Sequence, residues 1–137
     1  MLKLKRIIIT VLPLLLTTGC FNLYDGGSDL IVDDYEITWI DLHESRALYK
    51  HEELVQPYVF AVGHNSKFIF AKQHPLLPGS SVKISKSIIN YFIIERAKND
   101  LQDKPVYGPL TKGQFENKCT ELSIINPEFD VTYPTNL

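Results

Sequence analysis

Tyr58-Val59-Phe60-Ala61-Val62-Gly63 is the stretch on which the fold turns. Both of its alternating faces are apolar, the pattern of a central strand covered on two sides. His64-Asn65-Ser66 reads as a hairpin turn, with Asn65 suited to the left-handed conformation that tight turns use. Lys67 to His74 then returns, with Phe68 and Phe70 on one face and Ile69 and Ala71 on the other. Pro75 ends that ladder because it has no N–H to donate.

Downstream, Pro75 to Lys86 holds two prolines, a glycine and several serines, and reads as a loop. Ser87 to Glu95 predicts another strand, and Arg96 to Lys104 a charged, exposed connection. After Gly108-Pro109 comes the one helix signal. Thr111 and Gln114 form a capping box, with Leu110 and Phe115 at the staple positions around it. Phe115, Cys119 and Leu122 recur at i, i+4 and i+7, an apolar stripe to lay on a sheet. Asn126-Pro127 is expected to end the helix, leaving an extended tail over 126–137.

Upstream, Tyr35, Ile37 and Trp39 alternate with Glu36 and Thr38, the pattern of a half-buried strand. A turn at His43-Glu44-Ser45 leads into a short strand from Arg46 to Lys50, followed by a polar stretch from His51 to Gln56. The expectation is one α+β domain over residues 32–125: an antiparallel sheet of four to five strands with one C-terminal helix packed on it. Residues 20–31, with Asp25-Gly26-Gly27-Ser28-Asp29, read as a flexible polar tether.

The first nineteen residues read as an address. Lys3, Lys5 and Arg6 precede an apolar run from Ile7 to Leu16, about half of what a spanning helix needs. Thr17-Thr18-Gly19 then leads to Cys20, which is similar to the lipobox of bacterial lipoproteins, although Thr17 stands where that motif usually has Leu. Cys20 is the expected lipidation site and mature N-terminus. Two or more acyl chains there would hold the protein stably at a bilayer. Phe21 lacks the aspartate character that retains some lipoproteins at an inner membrane, so the outer membrane is the expected location where a cell has two.

From Cys20 onward eleven basic residues face sixteen acidic ones, a net charge of −5. With no basic cluster, nucleic acid is not an expected partner, and electrostatic docking to anionic lipid is not expected either. With Cys20 alkylated, Cys119 has no partner in the chain, and the stripe it belongs to places it in the core.

Asp34-Tyr35 through Ile40-Asp41, Phe60 through Asn65, and Ile69 through Lys72-Gln73-His74-Pro75 resemble a family of small uncharacterised bacterial lipoproteins. Asn90-Tyr91-Phe92-Ile93-Ile94 and Gly108-Pro109-Leu110-Thr111 with Phe115 extend the resemblance over nearly all of the mature chain. It implies an address and a fold, and no activity.

The sequence holds no nucleophile elbow, phosphate-cradling glycine loop, CxxC or HExxH. His43, His51, His64 and His74 lack the spacing of a zinc site and read as solvated turn residues. Asp33-Asp34 could pair for acid–base work, but neighbours on a strand point to opposite faces. No catalytic residue, metal or cofactor is expected. Lys72, Gln73 and His74, at the end of a central strand, are the candidate contact patch, with Lys72 and His74 sharing a face with Phe68 and Phe70. Together these point to a lipid-anchored, extracytoplasmic binding or accessory module with an unknown envelope protein or ligand as partner. The alternative is a small envelope hydrolase using polar residues near Lys72 and His74.

Overall fold

Period-two alternation over short β-branched and aromatic runs makes most of this chain into strands. The computed structural model describes residues 25–97 and 105–135. The expected signal segment, Cys20 and the greater part of the charged connection after Arg96 lie outside the described residues.

Two antiparallel sheets and one helix result. The first sheet is a meander of β1 (Gly26–Val32), β2 (Tyr35–Ile40), β3 (Ala47–Lys50) and β4 (Glu52–Val55), in that order. The second contains β5 (Val59–His64), β6 (Phe68–Gln73), β7 (Asn90–Glu95), β8 (Val106–Leu110) and β9 (Val131–Thr132), ordered β8-β7-β6-β5-β9. Helix α1 (Lys112–Glu121) packs against β7 and β8. The fold class is the expected α+β, with the helix laid on the five-stranded sheet and a second sheet added on its other face.

The two-sided reading of β5 and β6 explains the layering. Val59, Val62, Ile69 and Ala71 join Tyr35, Ile37 and Leu48 of the first sheet in one core. Phe68, Phe70 and Ile93 face the other way and join Phe115, Cys119 and Ile124 in a second. Fully burying a side chain of this size contributes about 1.5–3 kcal/mol, so the two cores together dominate the folding energy.

The helix start is as its sequence reads. The Thr111 side chain accepts from the Gln114 N–H, and the Gln114 side chain accepts from the Thr111 N–H. Phe115 and Cys119 are buried beneath it, and Leu110 packs against the same core. The helix stops earlier than expected, at Glu121, where Leu122 caps it and Ser123 turns left-handed.

Several segments differ from expectation. Residues 26–31 of the expected tether belong to β1, which pairs with β2 along nearly its whole length. Its glycines serve packing: a Cβ on Gly27 would meet the Trp39 ring at 2.4 Å. The polar stretch after His51 contains β4, whose Val55 is buried. The strand expected from Ser87 is β7, which starts at Asn90. Val106–Leu110 forms an edge strand, where Pro109 is tolerated because no neighbour needs its missing N–H. Asn65 is not among the left-handed residues; its Oδ1 instead accepts from the Lys67 and Phe68 N–H groups and closes the turn. The tail returns as β9 on the edge of β5.

Candidate cleft between the two sheets

The sheets close on each other at β1 and β5 but part at the opposite side, where β4 faces β6, β7 and β8. The gap is a cleft of about 630 Å³. Leu54, Phe92, Leu76 and the rings of Pro57, Pro75 and Pro109 give it apolar walls; Glu53, Gln56, Gln73 and Asn90 supply its polar groups. A volume of this size falls in the range of small-ligand sites, which combine apolar lining with a few placed polar groups.

Gln73 is the keystone of that cleft. It is only 5% exposed, and its amide nitrogen donates to Gln56 O at 3.2 Å and Pro57 O at 3.0 Å. Its Oε1 accepts from Asn90 Nδ2 at 3.1 Å. The amide therefore ties the β4–β5 linker to β6 and β7, and its hydrogen bonds offset the cost of burying it. Glu53 is held at the rim by Tyr49, whose hydroxyl donates to Oε2 at 3.0 Å; burial first, and then the Glu53 charge, raise the Tyr49 pKa.

The expected contact patch does not assemble as one site. Gln73 lines the cleft, while Lys72 lies on the helix side of the sheet, its Nζ 4.3 Å from the Phe129 ring centroid and 5.5 Å from that of Tyr91. His74 does not read out into solvent. It is 7% exposed, stacked on Phe60 at 4.2 Å, with Nδ1 2.9 Å from Ile88 O. One residue of the three thus faces the cavity, because adjacent strand residues alternate faces and the strand ends at Gln73. The signal that would have found the cleft is Gln73 itself, an amide on the Ile69 and Ala71 face of a strand whose other residues on that face are apolar.

The other candidates serve the fold. Asp33 pairs with Arg96 at 2.6 Å, and Asp34 with Lys50 and His51 at 3.2 Å each, so the two carboxylates diverge. Burial works against ionisation of Asp34, but Lys50 and His51 outweigh it and leave the carboxyl below its ordinary pKa. Tyr35 is buried, as its strand pattern implies, and Ala97 N–H donates to its hydroxyl. Arg46, 8% exposed, lies between the rings of Trp39 and Tyr133, 5.3 and 4.4 Å from their centroids. Such stacking offsets much of the cost of burying a guanidinium. Cys119 is buried and free, as its stripe implies. Among the described residues, no three histidine, cysteine, aspartate or glutamate side chains gather as a metal site would need, and no helix is long and apolar enough to cross a membrane.

A family of proteins of unknown function, DUF3997, matches residues 26–131. The chain belongs to that family. The match begins with β1 and ends in β9, so the DUF3997 unit is the two-sheet fold itself, with residues 26–31 of the expected tether inside it. No curated protein and no solved structure matches the chain.

Proposed function

We propose that this DUF3997 protein is a lipid-anchored module of the bacterial cell envelope that binds a ligand or partner segment in the cleft between its sheets. The reading rests on one structural observation. The cleft pairs apolar walls with neutral amides, a lining suited to holding an uncharged or peptide-like group, and among the described residues Glu53 is the one ionisable side chain on it. General acid–base or nucleophilic chemistry calls for at least a pair of reactive groups within hydrogen-bond reach. Lys72 and His74, on which a hydrolase would draw, are engaged elsewhere.

The anchor part of the proposal rests on the order of basic residues, apolar run and small residues before Cys20. Acylation there places the domain outside the cytoplasm, at the outer membrane where a cell has two. Intact-mass analysis of membrane-extracted protein tests it: the expected product begins at Cys20 and carries acyl mass. Full membrane retention of Cys20→Ser would overturn it. For the cleft, a photo-crosslinking amino acid at Glu53 in living cells is expected to yield an adduct that one at Ser66, in the β5–β6 turn, does not. Equal yields from the two positions would overturn a cleft-bound partner.

A further inference from the structure

The two ends of the sandwich are chemically unlike. At one end lie the β1–β2 and β5–β6 turns and the end of β7, linked by Arg96, which donates to both Asp33 and Asn65 O. At the other lie the start of β1, the loop between β2 and β3, and the 75–89 loop. Gly26 pairs with Ile40, Val59 N–H donates to Arg46 O, and Gln73 pairs with both Val59 and Asn90, so these pieces share one end.

Most of the exposed large apolar side chains gather there. Leu76, Leu77, Val82, Ile88 and Ile89 stand on the 75–89 loop, with Val82 62% exposed. Ile40, the last residue of β2, and Leu42, just after it, belong to the same end. Among the described residues, the β1–β2 and β5–β6 turns at the opposite end carry none of this set. An exposed apolar concentration of this kind marks a surface that something covers.

The loop presents these groups on a closed frame. Leu77 N–H donates to Lys83 O, Ser85 N–H to Pro75 O, and the Ser80 hydroxyl accepts from Val82 and Lys83 N–H. Its tip turns at Gly79, left-handed at φ +75°. Residues 75–89 include Lys83 and Lys86 and no acid, although the chain as a whole is acidic. Lys86 Nζ donates to Thr135 O, while Lys83 is exposed. The acids of this end, Asp25, Asp41 and Glu44, lie on the β1–β3 side, with Asp25 3.6 Å from His43.

We propose that this end is a membrane-contact surface, in which Leu77 and Val82 enter the headgroup–acyl boundary of a phospholipid bilayer and Lys83 meets lipid phosphate. The chain's own geometry selects the bilayer as occupant, given the anchor at Cys20 proposed above. Cys20 precedes Gly26 by six residues, which span at most about 20 Å. The opposite end stands a further ~20 Å away across the six-residue strands. An acylated Cys20 therefore holds the apolar end nearer to the membrane than the other end, which only a fully extended tether would reach. Apolar insertion beside basic side chains is the usual chemistry of interfacial binding.

The test uses full-length protein extracted from membranes and reconstituted into phosphatidylethanolamine–phosphatidylglycerol vesicles with brominated acyl chains. Val82→Trp and Ser66→Trp are compared with the parent, which has Trp39 alone. The expected result is a blue-shifted emission for Val82→Trp, quenched several-fold more by brominated than by ordinary lipid, with Ser66→Trp unaffected. Lys83→Glu in the Val82→Trp background is expected to weaken that quenching. Intact mass on the same sample reports acylation separately. Acylated, vesicle-bound protein with an unquenched Trp at position 82 overturns the contact surface while leaving the anchor standing. Equal quenching at positions 82 and 66 also overturns it. Unacylated protein that still shows selective quenching at position 82 supports the surface and removes the anchor.

Discussion

The two faces of the five-stranded sheet are made from alternate residues of the same strands, yet they are closed in different ways. Toward the first sheet, Val62, Ile69, Ala71 and Ile94 meet Ile37, Leu48 and Val55, an aliphatic layer shared among many side chains. Toward the helix, Phe68 and Phe70 meet Phe115 and Phe129 across a small aromatic cluster, with Phe70 and Phe115 edge-to-face at 6.3 Å. A broad aliphatic layer spreads its energy, so removing one member leaves the rest in contact. The aromatic face depends on a ten-residue helix and one returning segment, and therefore on a few rings.

The sharpest test of that contrast is a pair of truncations. Phe115→Ala is expected to cost about 3–5 kcal/mol and Leu48→Ala about 2–5, with the aromatic loss the larger. Denaturant melts of both variants measure it. A Leu48→Ala cost clearly above that of Phe115→Ala would mean that the sheet–sheet face carries the greater share.

Gly63→Ala probes the helix side at its tightest point. A Cβ there would come within 1.8 Å of Glu128 O, so the returning segment must move. Overpacking of this kind costs about 1–3 kcal/mol or more. It is also expected to expose Cys119, whose pKa burial, and secondarily Glu116, push up. In the parent protein the peptide carrying Cys119 should label far more slowly than in urea. In Gly63→Ala native labelling should accelerate, and an unchanged rate would show that the returning segment is not what seals this face.

Thr111→Ala should cost about 0.5–2 kcal/mol, because the Gln114 N–H loses its acceptor. It is expected to be the milder lesion on the helix side, and a cost equal to that of Phe115→Ala would reverse the ranking.

The last expected effect belongs to the sheet–sheet face and shows only at high pH. Tyr133 packs against that core, and burial, then the charge of Asp29, push its pKa up to about 12. An unfolded tyrosine titrates near 10, so between about pH 10 and 12 the unfolded chain loses this proton while the folded one keeps it. Stability contributed by the neutral phenol is complete below that window and is lost as pH rises through it. Tyr133→Phe should flatten the fall in denaturant midpoint between pH 9 and 11.5, and an identical slope in both proteins would place the phenol in water.

The hairpin of β5 and β6, the two-sided burial of both strands, the capping box at Thr111 and the burial of Cys119 were all legible in the chain, since each is a local pattern of period, turn or cap. Gly26–Val32 was not, because Gly-Gly beside aspartate has the composition of a linker, and only its pairing with β2, with the Trp39 ring packed over Gly27, makes it a strand. Glu52–Val55 and Val106–Leu110 were missed for a related reason: they are short edge strands whose existence depends on a neighbour. The contact patch shows the limit most plainly. Strand alternation puts Lys72 and Gln73 on opposite faces, but that Gln73 lines a cavity and that His74 is sealed under Ile88 and Phe60 depends on how a loop fifteen residues long closes over the strand end. By itself the sequence determined which segments could be strand or helix and which faces had to leave water, because those demands are met within a few residues. Only the tertiary structure decided that there are two sheets rather than one, where they part to leave a cleft, and which end gathers the exposed apolar groups, because each of these depends on contacts between segments far apart in the chain.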